Sequence, residues 1–215
     1  MLYLVEARRF FRHILFFSLL LLTAYGCGKT DEEATFDASR LPTRLLGNPE
    51  AAVTIVVFAS LTCPHCAKFE VETLPLLKAK YIDTGKVRLL YRNFPLDNLA
   101  HKAAMLADCT PKDNYFNFLT LLFSRQRSWA ESADPRAALA SLAKMVGMDE
   151  KTYDACLNDS TLADTILKER LYGEKAYKVR STPTFIIDGE KHVGDMLIED
   201  FDKILAPLLK KAEAA

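Results

Sequence analysis

The sequence predicts an α/β domain in which a block of helices interrupts an at least partly parallel sheet. Three observations predict this class. A strand, a helix and a second strand follow one another within 53–91, helical patterns fill 97–172, and strand character returns near 184–193. A chain of 215 residues is long enough for one domain with an insertion or for two small ones.

The first unit begins with a buried strand. Val53 to Phe58 is a continuous run of β-branched and apolar residues, which is typical of a strand covered on both faces. Cys63-Pro64 ends the run, and a helix with Pro64 in its first turn is predicted to extend to about Lys80. Val87 to Tyr91 is the second strand. Two consecutive strands joined by a helix are predicted to lie parallel.

The middle of the chain is predicted to be helical. Asp134 has the position of an N-cap, Pro135 follows in the first turn, and Gly147 ends that helix. In the last helix, Ile166 and Leu171 are predicted to face inward. The predicted helices cover 99–109, the apolar positions between 115 and 122, 135–146, a short segment from 149 that carries Cys156, and 162–177.

The end of the chain is predicted to contain a hairpin and a helix. Thr184 to Ile187 is a strand, Asp188-Gly189 is a strong turn signal, and 191–193 is the return strand. An amphipathic helix then starts near Leu197. Pro207 is expected to kink or end this helix, because proline donates no backbone hydrogen bond.

The first 26 residues have the pattern of a signal peptide. Arg8, Arg9 and Arg12 precede an apolar run, 14–24, that is too short to cross a bilayer, and small residues precede Cys27. Cys27 also resembles a bacterial lipoprotein acceptor site, so simple cleavage and lipidation are equal alternatives. Residues 27–40 form a polar stretch that is predicted to serve as a tether.

Composition and cysteine count restrict the class of function. Lys+Arg 28 balance Asp+Glu 28, so no basic excess suggests a nucleic-acid partner. Beyond Cys27, the four remaining cysteines form a close pair, Cys63 and Cys66, and a distant pair, Cys109 and Cys156. An even number behind an export signal fits an oxidising compartment.

The tetrapeptide Cys63-Pro64-His65-Cys66 predicts redox chemistry. Its first cysteine lies where a helix begins, and the unpaired N–H groups and the dipole there favour a negative charge. We therefore expect Cys63 to be a solvent-facing nucleophile with a lowered pKa. His65 can add a positive charge or a hydrogen bond to the same thiolate, and Pro64 stiffens the turn.

Other interpretations of the tetrapeptide are less favoured. A structural zinc site needs four ligands, and Cys63, His65 and Cys66 have no obvious fourth, so no metal is expected. Haem attachment needs a histidine directly after the second cysteine, where Ala67 stands. A purely stabilising disulfide with so small a loop constrains the unfolded chain little. No cofactor is predicted.

Two segments, together with the helical insertion between them, resemble the bacterial DsbA family of thiol oxidases. The segments are Phe58-Ala59-Ser60-Leu61-Thr62-Cys63-Pro64-His65-Cys66 and Arg180-Ser181-Thr182-Pro183-Thr184-Phe185. Cys109 and Cys156 in the insertion are similar to those of alphaproteobacterial members. The resemblance covers about 42–210. It implies a thioredoxin fold with an inserted α-helical subdomain, whose two parts are 41–96 and 173–215 and whose insertion is 97–172.

The resemblance also implies a mechanism and partners. Pro183 is expected to be a cis proline whose loop lies against the cysteine pair, with the backbone of Thr182 pairing with an extended substrate. The implied activity is oxidation of free cysteines in unfolded exported proteins, in the periplasm or cell envelope. A membrane protein of the DsbB type would reoxidise the pair, and the chain would be a monomer. If Cys27 is lipidated, that anchor would be the only contact of the chain with the membrane.

Two positions depart from the family pattern. Many relatives carry a buried acid six residues before the first cysteine, where this chain has Val57, so the group that exchanges protons with Cys66 is left open. Thr182 replaces the valine of the best-known oxidases and also occurs in isomerases. The alternatives are therefore a reductase or isomerase of the same fold, or a surface lipoprotein with a non-catalytic binding role.

Cys109 and Cys156 are the second candidate pair. They form either a structural disulfide or two buried free thiols, since unpaired cysteine behaves as a small apolar residue. The family resemblance and the export signal favour the disulfide. No catalytic role is predicted for it.

Overall fold

The structure, a computed structural model, describes Ser39 and residues 41–214. The predicted signal peptide, Cys27 with its possible lipid, and the tether up to residue 38 lie outside the described residues. No helix in the described part of the chain is long and apolar enough to span a bilayer.

One mixed sheet of five strands organises the described residues. β2 and β3 are parallel, with Val57 opposite Tyr91, while β1 pairs antiparallel with β3, and β4 pairs antiparallel with both β2 and β5. The strands, in chain order, are β1 Arg44–Leu46, β2 Val53–Ala59, β3 Val87–Asn93, β4 Thr184–Ile187 and β5 Glu190–Val193, and their order in the sheet is β1-β3-β2-β4-β5. Sequence analysis did not predict β1, because three residues are too few to show an alternating pattern.

Helices occupy the connections. The first, α1, covers 64–82 and alternates between α-helical and π-helical turns; Pro64 is its first residue. The others are α2 Asn98–Asp108, α3 Tyr115–Ser124, α4 Gln126–Ala130, α5 Pro135–Met145, α6 Glu150–Leu157, α7 Ser160–Ala176 and α8 Ile198–Glu213. Helices α2 to α7 lie between β3 and β4 in the chain, so the predicted fold class, a thioredoxin fold with a helical insertion, is confirmed.

Aromatic side chains hold helices against the sheet. Phe69 of α1 packs edge-on against Phe185 of β4, with ring centroids 4.8 Å apart, and Phe185 packs against Phe201 of α8 at 5.3 Å. Phe58 of β2 lies against Gly173 of α7 so closely that an added Cβ would come within 2.8 Å of its ring. This packing fixes α1 and β4, the two elements that carry the candidate site.

One local prediction was wrong, and a second was wrong in part. Leu171 is 40% exposed, whereas Ile166 is fully buried, because five helical positions rotate a side chain by about 140° and so turn Leu171 away from the inward face. Pro207 was expected to kink or end α8; it does not end the helix, which continues to Glu213, and a kink stays a prediction. Pro207 is exposed, so water can solvate the carbonyl group that it leaves without a helical donor.

The distant cysteines form a disulfide bond. Cys109 is the C-cap of α2 and Cys156 lies in α6, with Cα atoms 6.1 Å apart. Beside this bond, Asp108 forms an ion pair with the buried Arg44 of β1, and Arg44 also binds Glu169 of α7 at 2.6 Å. The disulfide joins two helices of the insertion, α2 and α6. The ion-pair cluster joins the insertion to β1 at the edge of the sheet.

Candidate active site

The close cysteine pair lies at the N-terminus of α1. Cys63 is the N-cap, with extended backbone angles (φ −82°, ψ 119°), and its carbonyl oxygen accepts backbone hydrogen bonds from Cys66 and Ala67 at 3.1 Å. The buried amide of Gln126 in α4 donates to the carbonyl oxygens of Leu61 and Cys63, at 2.8 and 3.0 Å. The inserted helices therefore hold the turn that presents the two thiols.

Both thiols are free and both are buried. Cys63 is 5% exposed and Cys66 is 1% exposed, so the prediction of a solvent-facing Cys63 was wrong. The cause is the loop before β4, whose Thr182 carbonyl oxygen lies 3.2 Å from Cys63 Sγ and accepts a hydrogen bond from the thiol. An attacking sulfur therefore has to approach Cys63 past the Thr182 backbone.

The two thiols have opposite acidities. Hydrogen bonding by the Cys66 thiol lowers the pKa of Cys63 to about 5, although burial acts in the other direction. The Thr182 side chain and then the backbone N–H groups of Cys66 and His65 lower this pKa further. Burial, reinforced by the neighbouring Cys63, raises the pKa of Cys66 well above its ordinary value. At neutral pH the reduced pair therefore consists of a Cys63 thiolate and a Cys66 thiol.

The His65 side chain acts differently from the expectation. It is 65% exposed and its Nδ1 lies 3.0 Å from Oδ2 of Asp195, which Lys68 also approaches, at 3.4 Å. Its contribution to the acidity of Cys63 is made instead by its backbone N–H group. Asp195 therefore holds His65 at the surface beside the cysteine pair.

The loop that precedes β4 contains the second half of the site. The Thr182–Pro183 peptide bond is cis, and the carbonyl oxygen of Pro183 accepts a hydrogen bond from the backbone of Gly194 at 2.9 Å. The hydroxyl of Thr182 is buried beside the two cysteines, and the Thr182 side chain lowers the pKa of both. The structure thus brings Thr182 and Pro183 together with Cys63, as the sequence analysis expected.

Three residues near the pair were missed by sequence analysis. Gln126 and Asp195 reach the site only through the fold, and no sequence signal pointed to them. Glu70 is 4% exposed, its carboxylate accepts a hydrogen bond from Thr120 at 2.7 Å, and burial raises its pKa to about 7. Its position four residues after Cys66 on the same helix was a usable signal.

A groove of about 920 Å³ opens beside the cysteine pair. Thr62 and Pro64 lie at its end nearest the cysteines, and charged residues from the insertion, among them Lys102, Arg127 and Arg136, line the rest. Within the part of the chain that the structure describes, no group of three or more His, Cys, Asp or Glu side chains is arranged to hold a metal ion.

Comparisons with known proteins agree with this geometry. A family model described as Thioredoxin matches residues 39–206. A Rickettsia typhi protein provisionally named protein-disulfide oxidoreductase is 34% identical over 67% of this chain, which spans 54% of that relative's length. The crystal structure of Wolbachia pipientis alpha-DsbA1 is 31% identical, with a TM-score of 0.76 over 84% of this chain and 98% of that one. A structure named protein-disulfide isomerase, from Novosphingobium aromaticivorans, is also 31% identical, with a TM-score of 0.68 over 77% and 97% of the two chains.

Proposed function

Because the chain belongs to the thioredoxin family, among its DsbA-like members, we propose that it is a dithiol oxidase that forms disulfide bonds in client proteins. The observation that carries this proposal is the pKa of Cys63, about 5, where α1 begins. A thiol that is ionised at neutral pH is a good leaving group in thiol–disulfide exchange. The oxidised pair therefore gives its disulfide away readily.

Two exchanges transfer the disulfide to a client. A client thiolate attacks Cys63 Sγ, the bond to Cys66 breaks, and the electron pair leaves on Cys66, which takes up a proton. A second client thiolate then attacks the client sulfur of this mixed disulfide, and Cys63 leaves as a thiolate. The client loses two electrons and the Cys63–Cys66 pair gains them.

The acidity of Cys63 sets a scale for the oxidising power. The corresponding thiol of thioredoxin has a pKa of about 7. A pKa of about 5 stabilises the reduced form further at pH 7, which raises the reduction potential by ~50 mV relative to thioredoxin. Since thioredoxin has a potential of about −270 mV, ionisation alone would raise the potential to about −220 mV, and any further stabilisation of the reduced form would raise it more.

The reduction potential of the pair tests the proposal. The full chain is equilibrated with glutathione buffers at pH 7, and alkylation followed by mass spectrometry quantifies the peptide that carries Cys63 and Cys66. We expect a potential above about −220 mV. A value close to that of thioredoxin would contradict the oxidase assignment.

An isomerase is the second candidate function. Two observations favour it: the buried Thr182 hydroxyl beside Cys63, and the similarity to the Novosphingobium structure named an isomerase. Refolding of a scrambled disulfide protein, compared with oxidation of the same protein in its reduced form, separates the two activities. Faster rescue of the scrambled form by the reduced chain would favour the isomerase.

The proposal includes export of the chain to the periplasm or cell envelope. The pattern of 1–26 supports export, and unfolded exported proteins with free cysteines are the proposed clients. A membrane protein of the DsbB type is the proposed oxidant of the reduced pair, and the chain is proposed to act as a monomer. Mass analysis of the mature N-terminus tests export and separates a lipidated Cys27 from simple cleavage; an intact Met1 would contradict export.

A further inference from the structure

An acidic side chain beside the redox pair has no role in the chemistry described so far. Asp195 lies in the loop between β5 and α8, and its Oδ2 atom is 3.0 Å from Nδ1 of His65, the third residue of the redox tetrapeptide. The two residues are 130 positions apart in the sequence. Lys68 of α1 approaches the same oxygen at 3.4 Å. One carboxylate therefore binds two basic side chains of α1 next to the reactive cysteine.

The loop that carries Asp195 is fixed on both sides of this residue. The backbone N–H group of Gly194 donates to the carbonyl oxygen of Pro183 at 2.9 Å, which ties the loop to the cis proline. Gly194 has a φ of +91°, a conformation that favours glycine. On the other side, the hydroxyl of Thr73 in α1 donates to the carbonyl oxygen of Met196 at 3.2 Å. The position of the Asp195 carboxylate is therefore set by the two elements that form the site, α1 and the cis-proline loop.

The imidazole of His65 has a second position within reach. The backbone N–H group of His65 hydrogen-bonds to Cys63, yet the side chain is 65% exposed and is bound to Asp195. Exposed side chains exchange between staggered rotamers, and another rotamer would turn the ring toward Cys63. Imidazole offers an N–H donor to a thiolate whether it is neutral or protonated. The contact with Asp195 competes with this second position of the ring.

A group that stabilises the Cys63 thiolate favours the reduced pair over the disulfide. The oxidised pair has no ionised sulfur, so a donor or a positive charge beside Cys63 lowers the free energy of the reduced form only. The direct effect of the Asp195 charge on the thiolate is screened, because Asp195 lies at the surface in contact with solvent. We therefore expect Asp195 to act on the redox pair through the ring that it binds.

We propose that Asp195 is a positioning residue that holds the His65 imidazole away from Cys63 and thereby limits the oxidising power of the redox pair. While the contact between His65 and Asp195 persists, the thiolate is stabilised without the imidazole. Release of the ring adds a further donor to the thiolate and favours the reduced pair. This inference rests on the proposed function and deepens it, since it names a residue that sets the reduction potential.

The equilibrium of the full chain with glutathione at pH 7 tests the inference. Alkylation and mass spectrometry give the fractions of the reduced and oxidised Cys63–Cys66 pair. Asp195→Ala removes the contact with His65 and should shift the equilibrium toward the reduced pair by about fivefold, the upper part of the range for an exposed ion pair, which corresponds to ~20 mV. Thiolate absorbance should show that the pKa of Cys63 falls in the same variant.

Two further variants identify the route of the effect. Glu199→Ala is the matched control, because it removes an exposed acid four residues further along, in the first turn of α8. It should leave the equilibrium as in the natural chain. In a His65→Ala background, Asp195→Ala should have no further effect, because the ring that Asp195 holds is gone.

The outcomes separate this inference from the proposed function. An unchanged equilibrium in Asp195→Ala, or an equal shift in Glu199→Ala, would overturn the role of Asp195 whatever potential the natural chain has. The same fivefold shift in the His65→Ala background would show that the carboxylate acts on Cys63 directly, and would overturn the route through His65. A natural potential close to that of thioredoxin would contradict the oxidase assignment and still leave the effect of Asp195 measurable.

Discussion

The two cysteine pairs of the described chain lie at opposite ends of their helices. Cys63 is the N-cap of α1, where free N–H groups stabilise a thiolate, and it remains a free thiol beside Cys66. Cys109 is the C-cap of α2, where the helix carbonyl groups disfavour a thiolate, and it is bonded to Cys156. The same side chain is therefore placed for exchange at one helix end and for a permanent bond at the other.

The acids that lie next to the two cysteine pairs in the sequence also differ, in whether a cation neutralises them. Asp108, next to Cys109, forms an ion pair with Arg44 and belongs to a structural cluster. Glu70, four residues after Cys66, has no such cation among the described residues, and its pKa is raised to about 7. The acid beside the structural disulfide is neutralised by a cation, whereas no cation among the described residues neutralises the acid that follows the redox pair.

The largest expected effect comes from removing the reactive thiol of one pair and comparing this change with removal of the other pair. Cys63→Ala should abolish oxidation of a dithiol peptide, with a loss on the order of 10³-fold or more, because the attacked sulfur is gone. The double variant Cys109→Ala/Cys156→Ala, assayed under the same conditions, should retain the activity. Turnover that persists in Cys63→Ala would show that the site is elsewhere.

Loss of the structural disulfide is expected to reduce stability. Cross-linking residues 47 positions apart corresponds to about 4 kcal/mol on the loop-entropy model, so Cys109→Ala/Cys156→Ala should lower the free energy of unfolding by about this amount. Denaturant unfolding at pH 7 measures it. A loss below about 1 kcal/mol would mean that the bond does not constrain the unfolded chain as proposed.

The two acids should respond oppositely to neutralisation. Because the pKa of Glu70 is about 7 in the fold and near 4.5 when unfolded, the folded state binds its proton more tightly, and stability falls by about 3 kcal/mol as the pH rises from 4.5 to 7. Glu70→Gln should remove this loss and be more stable than the natural chain above pH 7.

Asp108→Asn is the matched comparison. It should destabilise the fold, because Arg44 then loses one of its two buried carboxylate partners. Unfolding of both variants between pH 4 and 8 tests the pair of predictions. Equal pH dependence in Glu70→Gln and the natural chain would mean that Glu70 titrates normally.

The smallest expected effect compares the oxidised and reduced forms of the redox pair. The lowered pKa of Cys63 stabilises the reduced fold, by up to about 2 kcal/mol at pH 7 once solvent screening is allowed for. This contribution is largest above pH 9 and is lost as the pH falls toward 5. Reduction of Cys63–Cys66 should therefore stabilise the chain at pH 7, in contrast to loss of the Cys109–Cys156 bond. Unfolding of both redox forms at pH 5 and 7 measures the difference.

Local signals were sufficient for much of this molecule. Asp134 and Asp149 act as N-caps as their positions indicate, Pro64 opens α1, and the apolar run that starts at Val53 forms the central strand β2. Such features depend on hydrogen bonds and steric limits within a few residues, so they can be read from the chain directly. The spacing of Cys63 and Cys66 at a strand-to-helix junction is a feature of the same kind.

Contacts between distant segments decided the rest. Thr182, which is 119 positions from Cys63 in the sequence, covers the Cys63 thiol. Asp195, which is 130 positions from His65, binds the His65 side chain at the surface. The exposure of Leu171 likewise depends on which face of α7 meets the sheet. The sequence by itself determined where α1 begins and that the reactive sulfur of Cys63 lies at this end, because the interactions that start a helix are local. Only the tertiary structure decided how that sulfur is covered and how far the pKa of Cys63 is shifted, because burial and its effect on pKa arise where separate segments pack together.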